Sequence, residues 1–234
     1  FISGVANNDN LATMLSSLTL LTMIKLVKGK GGLCSSLFLG LLLGLGVLTK
    51  INLLAFIPTT LLVLLLLARR QGLRGGAKLF GAVFIPFFLL AGAWFLRNQS
   101  LYGDPLGWTQ VLRLNALREG PLGTKEWLDF LLSLYRSFWL EWIGIELDVA
   151  IYAFLALGAI ISLAGLGMLI PKRRAIEPTV PFLLSLLGLH TLLVFLALLR
   201  WTAVVLGTGQ ARLLYPALSP ILICLFLGGR QWVS

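Results

Sequence analysis

The sequence predicts an all-α polytopic membrane helix bundle: about seven transmembrane helices, with two interfacial helices in one large external loop. Hydrophobic residues make up 58% of the chain and charged residues only 12%, far from the averages of soluble domains. Apolar runs of membrane-spanning length recur along the chain, and the segments between them alternate in charge. We therefore expect residues 1–234 to form a single transmembrane domain.

The apolar runs set the predicted spans. Residues 33–68 are almost uninterrupted, and one helix of that length would measure about 54 Å, against a hydrocarbon core of about 30 Å. The run should therefore fold back, and Thr49-Lys50-Ile51-Asn52 is the predicted turn. The spans are predicted at residues 11–27, 33–49, 51–68, 79–96, 149–170, 179–199 and 215–229.

Charge is divided unequally between the two sets of connecting segments. One set holds eleven basic residues and a single acid, Glu177, whereas the other holds eight bases and eight acids. Cytoplasmic loops collect Lys and Arg, so the basic set is predicted to be cytoplasmic, with Arg70 and Arg173 inside and Asn98 and Asp104 outside. The basic residues of this set are Lys25, Lys28, Lys30, Arg69, Arg70, Arg74, Lys78, Lys172, Arg173, Arg174 and Arg230.

This distribution accounts for the net charge of +10 without nucleic acid as a partner. Membrane lipids are the expected surroundings, and the predicted location is a bacterial inner or plasma membrane that the chain crosses several times. Because the chain opens on Phe1 in what reads as the end of a loop, it is expected to be a C-terminal fragment of a longer protein.

The external loop is predicted to span residues 97–148. Asp104 followed by Pro105 fits a helix start, and this helix should run to about Arg118, before Gly120 and Pro121 interrupt it. A second helix is predicted over residues 126–145, lying in the membrane interface. It either caps the bundle or covers a substrate, and its apolar stripe consists of Trp127, Leu131, Leu134, Phe138 and Trp142.

Acidic side chains are confined to the ends of spans and the loops. No predicted span holds an Asp or Glu in its interior, which disfavours an ion-coupled transporter and leaves the external face for acid–base or metal chemistry. Asp9, just before the first span, is a candidate base, a candidate ligand for a divalent metal ion, or a helix cap. His190, inside the sixth span, is interpreted as a structural side chain hydrogen-bonded between helices.

Basic side chains at the outer ends of spans are candidate phosphate contacts. Lys50 lies at a tight outer turn, where it either reaches lipid headgroups or binds a phosphate as a point charge. Arg97 and Arg212 also end or precede spans on this side. Three converging cations require an anion between them, so we predict that Lys50, Arg97 and Arg212 share one lipid-phosphate site, with Asp9 or Asp104 nearby.

Several short motifs resemble those of one enzyme superfamily. The chain is similar to the GT-C membrane glycosyltransferases, and nearest to the bacterial branch related to protein O-mannosyltransferases and lipid A aminoarabinose transferases, including related membrane families of unknown function. The motifs are Asn7-Asn8-Asp9, Gly44-Leu45-Gly46-Val47-Leu48-Thr49-Lys50, Trp94-Phe95-Leu96-Arg97-Asn98, Tyr102-Gly103-Asp104-Pro105 and Arg212-Leu213-Leu214-Tyr215-Pro216-Ala217.

The resemblance implies transfer of a sugar from a polyprenyl-phosphate donor to an acceptor on the non-cytoplasmic face. It assigns Asp9 to an acidic position near the site, Lys50 to a donor-phosphate contact and Arg212 to a basic residue beside the donor. Two features depart from the family pattern. The main catalytic acid of the family precedes the region matched here, and the usual Arg-Tyr pair of the family is replaced in this chain by Arg212-Leu213. A non-catalytic scaffold of the same fold and a lipid or polysaccharide transporter remain the alternatives.

Overall fold

The described part of the chain is helical. The computed structural model describes residues 8–139, 147–169 and 177–233, and in these residues helices alternate with short connections, with one isolated antiparallel bridge between Leu117 and Val205. The α-helices are α1 (Asn8–Val27), α2 (Leu33–Thr49), α3 (Phe56–Tyr102), α4 (Trp108–Arg113), α5 (Thr124–Trp139), α6 (Val149–Gly167), α7 (Thr179–Val204) and α8 (Leu218–Arg230). Two 3₁₀ helices, Ile51–Ala55 and Ala211–Ala217, precede α3 and α8.

Five of these helical segments are long and apolar enough to cross a membrane: Asn8–Val27, Ile51–Tyr102, Val149–Gly167, Thr179–Val204 and Ala211–Arg230. The apolar helix α2 is shorter, at 17 residues. Such a set is expected of an integral, multi-pass membrane protein, as the composition predicted.

The long helix α3 is broken in its middle by Gly72. This residue has φ 77° and ψ 170°, a conformation that glycine adopts without the steric cost of a Cβ. A Cβ on Gly76 would lie 2.4 Å from the Cβ of Ala68, whereas eight residues of straight helix would separate the two by about 12 Å. The chain therefore reverses at Gly72, between two arms of residues 56–71 and 73–102.

The chain forms two compact units, Phe1–Asn115 and Ala116–Ser234. In the first unit α2 packs on α1 and along α3. Helices α2 and α3 approach each other closely at Gly40, where a Cβ would lie 2.1 Å from the carbonyl oxygen of Val83. They do so again one turn later at Gly44, beside Leu90. Small residues at this spacing allow membrane helices to approach closely.

In the second unit α6 and α8 make the corresponding close contact. A Cβ on Gly165 would lie 2.0 Å from the carbonyl oxygen of Gly228, and one on Gly228 would lie 1.8 Å from that of Ser162.

His190 lies in α7 and is fully buried. Its Nε2 lies 3.2 Å from the carbonyl oxygen of Pro216, in the 3₁₀ helix that precedes α8. An α-helical donor to that carbonyl would be residue 220, which is a proline without an N–H, so the imidazole is placed to make the hydrogen bond that the backbone cannot, while its purely structural role remains a prediction.

The two helices predicted for the loop of residues 97–148 differ from their predicted bounds. The first begins at Trp108 instead of Pro105, because Asp104–Gly107 forms a turn in which Gly107 has φ 66° and its N–H donates to the Asp104 carbonyl. It ends at Arg113 instead of Arg118, because residues 116–118 are extended and hydrogen-bond to residues 204–206. The second, α5, begins at Thr124, and the predicted end of this helix at residue 145 lies outside the described residues, as do Trp142 and Arg173.

Candidate functional site

Asp9 and Lys50 form an ion pair between the ends of two antiparallel helices. Asp9 lies in the first turn of α1, and Lys50 follows α2 in an extended conformation, with φ −157° and ψ 121°. The Lys50 Nζ donates to Asp9 Oδ1, and the two side chains are only 18% and 5% exposed. This shielding strengthens the attraction between the charges relative to a pair in open water.

A second contact fixes the same two helix ends. The Asn8 side-chain amide donates a 2.9 Å hydrogen bond to the backbone carbonyl of Thr49. Two consecutive residues of the Asn-Asn-Asp motif thus contact two consecutive residues of the Leu-Thr-Lys motif, 41 positions away. These motifs were predicted to belong to one site, and the fold brings them together.

The turn after Lys50 contains a polar atom that lacks a hydrogen-bond partner among the described residues. It is Oδ1 of Asn52, which is shielded from solvent although the residue as a whole is half-buried. Unpaired buried acceptors are uncommon. This unpaired amide oxygen lies two residues from Lys50 in the sequence, and the sequence offered no signal for it.

The Asp104 carboxylate accepts hydrogen bonds from residues of its own turn. Its carboxylate accepts 3.0 Å hydrogen bonds from the backbone N–H groups of Leu106 and Thr109, and a 3.2 Å bond from the Thr109 hydroxyl. The hydrogen bond from the Thr109 backbone is the main reason that the pKa of this carboxyl lies below its usual value. Asp104 therefore holds the turn that leads into α4, but the N-cap of that helix is Gly107, so the prediction that Asp104 caps a helix beginning at Pro105 was wrong.

Arg97 and Arg212 have different surroundings. Arg97 is exposed near the end of α3 in the first unit, whereas Arg212 is half-buried in the second unit and its Nε donates a 2.7 Å hydrogen bond to Oε1 of Gln210. The convergence of these two residues with Lys50 remains a prediction. Within the described ranges, no three His, Cys, Asp or Glu side chains gather to hold a metal ion, so a metal-binding role for Asp9 also remains a prediction.

Arg118 is a residue that the sequence analysis did not single out. Its backbone N–H donates to Val204, its Nε donates to the Thr202 carbonyl at 2.8 Å, and its Nη1 lies 3.5 Å from Oε1 of Glu126. It thereby connects the end of α7 to the start of α5. Its only sequence signal was a basic residue at the end of the first predicted helix of the loop, which does not distinguish such a connection from a solvated charge.

The packed face of α5 also differs from the predicted stripe. Phe130 and Leu134 are buried, and the hydroxyls of Ser133 and Ser137 both donate to the carbonyl of Gly209. These four residues occupy one side of the helix at spacings of three and four. Ser133 and Ser137 therefore contact the protein although they lie outside the predicted apolar stripe, because the backbone at Gly209 supplies them with a hydrogen-bond acceptor.

Comparison with known proteins identifies no relative: no protein-family model, curated protein or solved structure matches this chain.

Proposed function

We propose that the chain is part of a membrane glycosyltransferase that transfers a sugar from a polyprenyl-phosphate donor to an acceptor on the non-cytoplasmic face. One observation carries this proposal: the contact between Asn8-Asp9 and Thr49-Lys50. Both motifs resemble GT-C sequences, and a shielded carboxylate beside a primary ammonium supplies an acid–base group and a phosphate contact in one place.

The proposed topology has seven crossings, because α3 reverses at Gly72 and its two arms count separately. The Asp9–Lys50 pair and residues 97–148 lie on the non-cytoplasmic side, and the basic loops lie in the cytoplasm. Helices α4 and α5 lie at the membrane interface. Three exposed leucines of α5, Leu128, Leu131 and Leu132, support this placement, since they lie beside the charged face and opposite the packed face.

The proposed chemistry uses the pair as a unit. A donor phosphate would compete with Asp9 for the Lys50 ammonium, and would release the carboxylate to accept the proton of the acceptor hydroxyl. The acceptor oxygen then bonds to the anomeric carbon while the bond from that carbon to the phosphate oxygen breaks. The lipid phosphate leaves with the electron pair and is stabilised by Lys50.

The test measures binding of a photoreactive polyprenyl-phosphate analogue to the full-length protein in detergent. Lys50→Ala should weaken binding about tenfold or more, because a charge-assisted hydrogen bond contributes about 1.5–3 kcal/mol. Lys125→Ala, which removes an exposed lysine from the start of α5, is the matched control and should leave binding unchanged.

Lys50→Ala also leaves Asp9 as a buried charge without its partner, so the double variant Asp9→Asn/Lys50→Ala is measured beside it. Weak binding by both variants supports the phosphate role. Unchanged affinity in the folded double variant would reduce Lys50 to a structural or headgroup contact.

A non-catalytic scaffold is the second candidate, and the pair itself favours it in one respect. Asp9 already neutralises Lys50 and connects α1 to α2, which is sufficient reason for both residues in a purely structural protein. The scaffold predicts that variants of the pair lower thermal stability without any effect on lipid-phosphate binding.

A further inference from the structure

One end of the first unit carries a dense group of basic side chains. Seven of them flank the end of α1 and the reversal of α3, and all seven are exposed. No Asp or Glu occurs in the sequence between Asp9 and Asp104, so no carboxylate of this stretch neutralises them. We call this group the basic patch; it consists of Lys25, Lys28, Lys30, Arg69, Arg70, Arg74 and Lys78.

Arg70 joins the two halves of the patch. Its Nη1 donates a 2.6 Å hydrogen bond to the carbonyl of Val27, the last residue of α1. This bond holds the reversal at Gly72 against the end of α1. Lysines near residue 28 and arginines near residue 72, more than forty positions apart in sequence, therefore share one surface.

The patch ends in an exposed apolar side chain. Leu73 follows Gly72 at the reversal and is 90% exposed, although most leucines of the first unit are at least partly covered. An exposed leucine that lies in the sequence between the exposed cations Arg70 and Arg74 matches the chemistry of a phospholipid surface, in which anionic headgroups lie above acyl chains. The patch also lies at the ends of apolar helices, where such headgroups occur.

We propose that the basic patch is a binding site for anionic phospholipid, with phosphates between the lysines of the α1–α2 loop and the arginines of the α3 reversal. Topology alone would require basic residues on this side of the membrane, but it does not require the two loops to be joined into one surface or a leucine to project from it. The proposal is independent of the glycosyltransferase function, since the patch lies at the opposite ends of α1 and α2 from the Asp9–Lys50 pair.

Binding of fluorescent phosphatidylglycerol to the detergent-solubilised chain tests the proposal, with fluorescent phosphatidylcholine as the neutral lipid. Two variants, Lys28→Gln/Lys30→Gln and Arg69→Gln/Arg74→Gln, each remove two charges and retain the structural Arg70. Each surface cation contributes about a factor of five to anionic-lipid affinity. Each variant should therefore weaken phosphatidylglycerol binding by about 25-fold at low salt and leave phosphatidylcholine binding unchanged.

The matched control Arg113→Gln/Lys125→Gln removes two exposed cations outside the patch and should bind phosphatidylglycerol as the wild type does. Raising the salt from about 50 to about 300 mM should weaken wild-type binding, because added ions screen exposed charges. Equal losses in patch and control variants, or unchanged affinity in both patch variants, would overturn the proposal. Because the two variants alter different loops, the folded one suffices if the other fails to fold.

Discussion

Lys50 and Asp9 neutralise each other where α1 begins and α2 ends. Both side chains are largely shielded, so each would cost free energy to keep charged without the other. The two residues are therefore energetically coupled: when either is removed, the other remains charged and largely shielded from water without its ionic interaction. The energetic value of the pair is therefore best measured with both single variants and the double variant.

The first prediction concerns the stability of this pair. Asp9→Asn and Lys50→Met should each destabilise the protein by about 2 kcal/mol, because a charged group loses its ionic partner. The double variant should be less destabilised than the sum of the two, since it removes both charges. Thermal unfolding in detergent measures all three, and strict additivity would contradict a direct interaction.

The second prediction concerns how the ionised Asp104 carboxylate stabilises the turn that leads into α4. The pKa of its carboxyl is lowered in the folded protein by hydrogen bonds from Thr109 and Leu106, so its contribution to stability is present above the unfolded pKa of about 3.8. This contribution is lost as the pH falls through the lower folded pKa. The backbone amide of Thr109 should therefore be protected from hydrogen exchange at about pH 6 in the wild type and exchange faster in Asp104→Ala. Equal exchange in the two proteins would show that the carboxylate does not hold this turn.

The sequence pointed to individual candidate residues more readily than to the residues that they contact. Lys50 was recognised because a cation at an outer turn opposes the usual charge bias, and His190 because few ionisable groups occur inside a span. The contact of Lys50 with Asp9 depends on the antiparallel arrangement of α1 and α2. The contacts of Ser133 and Ser137 with Gly209 depend on a loop that lies about 75 residues later in the sequence. A single sequence contains no direct signal for contacts of that separation.

At the scale of elements, glycine sets how closely the helices approach. Gly40 permits contact between α2 and α3, and Gly165 with Gly228 permits it between α6 and α8. Gly40 and Gly44 lie four residues apart within one helix, a spacing that is visible in the sequence. Gly165 and Gly228 belong to different helices, so neither forms such a motif with the other.

The third prediction compares two glycine-to-alanine variants. Gly40→Ala should destabilise the protein by about 1–3 kcal/mol, because the new Cβ would overlap the carbonyl of Val83 and force the helices apart. Gly158→Ala in α6 is the control, since a Cβ there would meet no atom within 4 Å; it should change stability by less than about 1 kcal/mol. Equal thermal stability of the two variants in detergent would contradict close packing at Gly40.

The predicted spans agree with the observed helices more closely than the predicted loop elements agree with the observed ones. Hydrophobic runs define where α1, α2, α6 and α7 lie because the exclusion of charge from the bilayer acts on every residue of a span. The short elements between the long apolar helices are subject to weaker constraints. The start of α4 depended on a left-handed Gly107, and its end on pairing with residues 204–206, neither of which a hydropathy pattern contains.

At the scale of the whole first unit, charge is distributed unequally between the two ends of the apolar helices. The basic patch lies at one end of α1 and α2, and the Asp9–Lys50 pair lies at the other. This separation relates the two proposals: one end is the proposed anionic-lipid site, and the other end carries the proposed transferase site. Both depend on which end faces the cytoplasm, which the unequal distribution of Lys and Arg predicts.

Labelling of single cysteines in intact cells tests this sidedness most directly. The exposed Cys34 lies beside the basic patch at the start of α2, and the variant Cys224→Ser leaves it as the single cysteine. A second variant lacks both natural cysteines and carries Arg113→Cys in α4. A membrane-impermeant maleimide should label position 113 in intact cells, and Cys34 only after the cells are opened. Labelling of Cys34 from outside, with position 113 protected, would invert the topology and place the Asp9–Lys50 pair on the cytoplasmic side, contradicting the proposed site of sugar transfer.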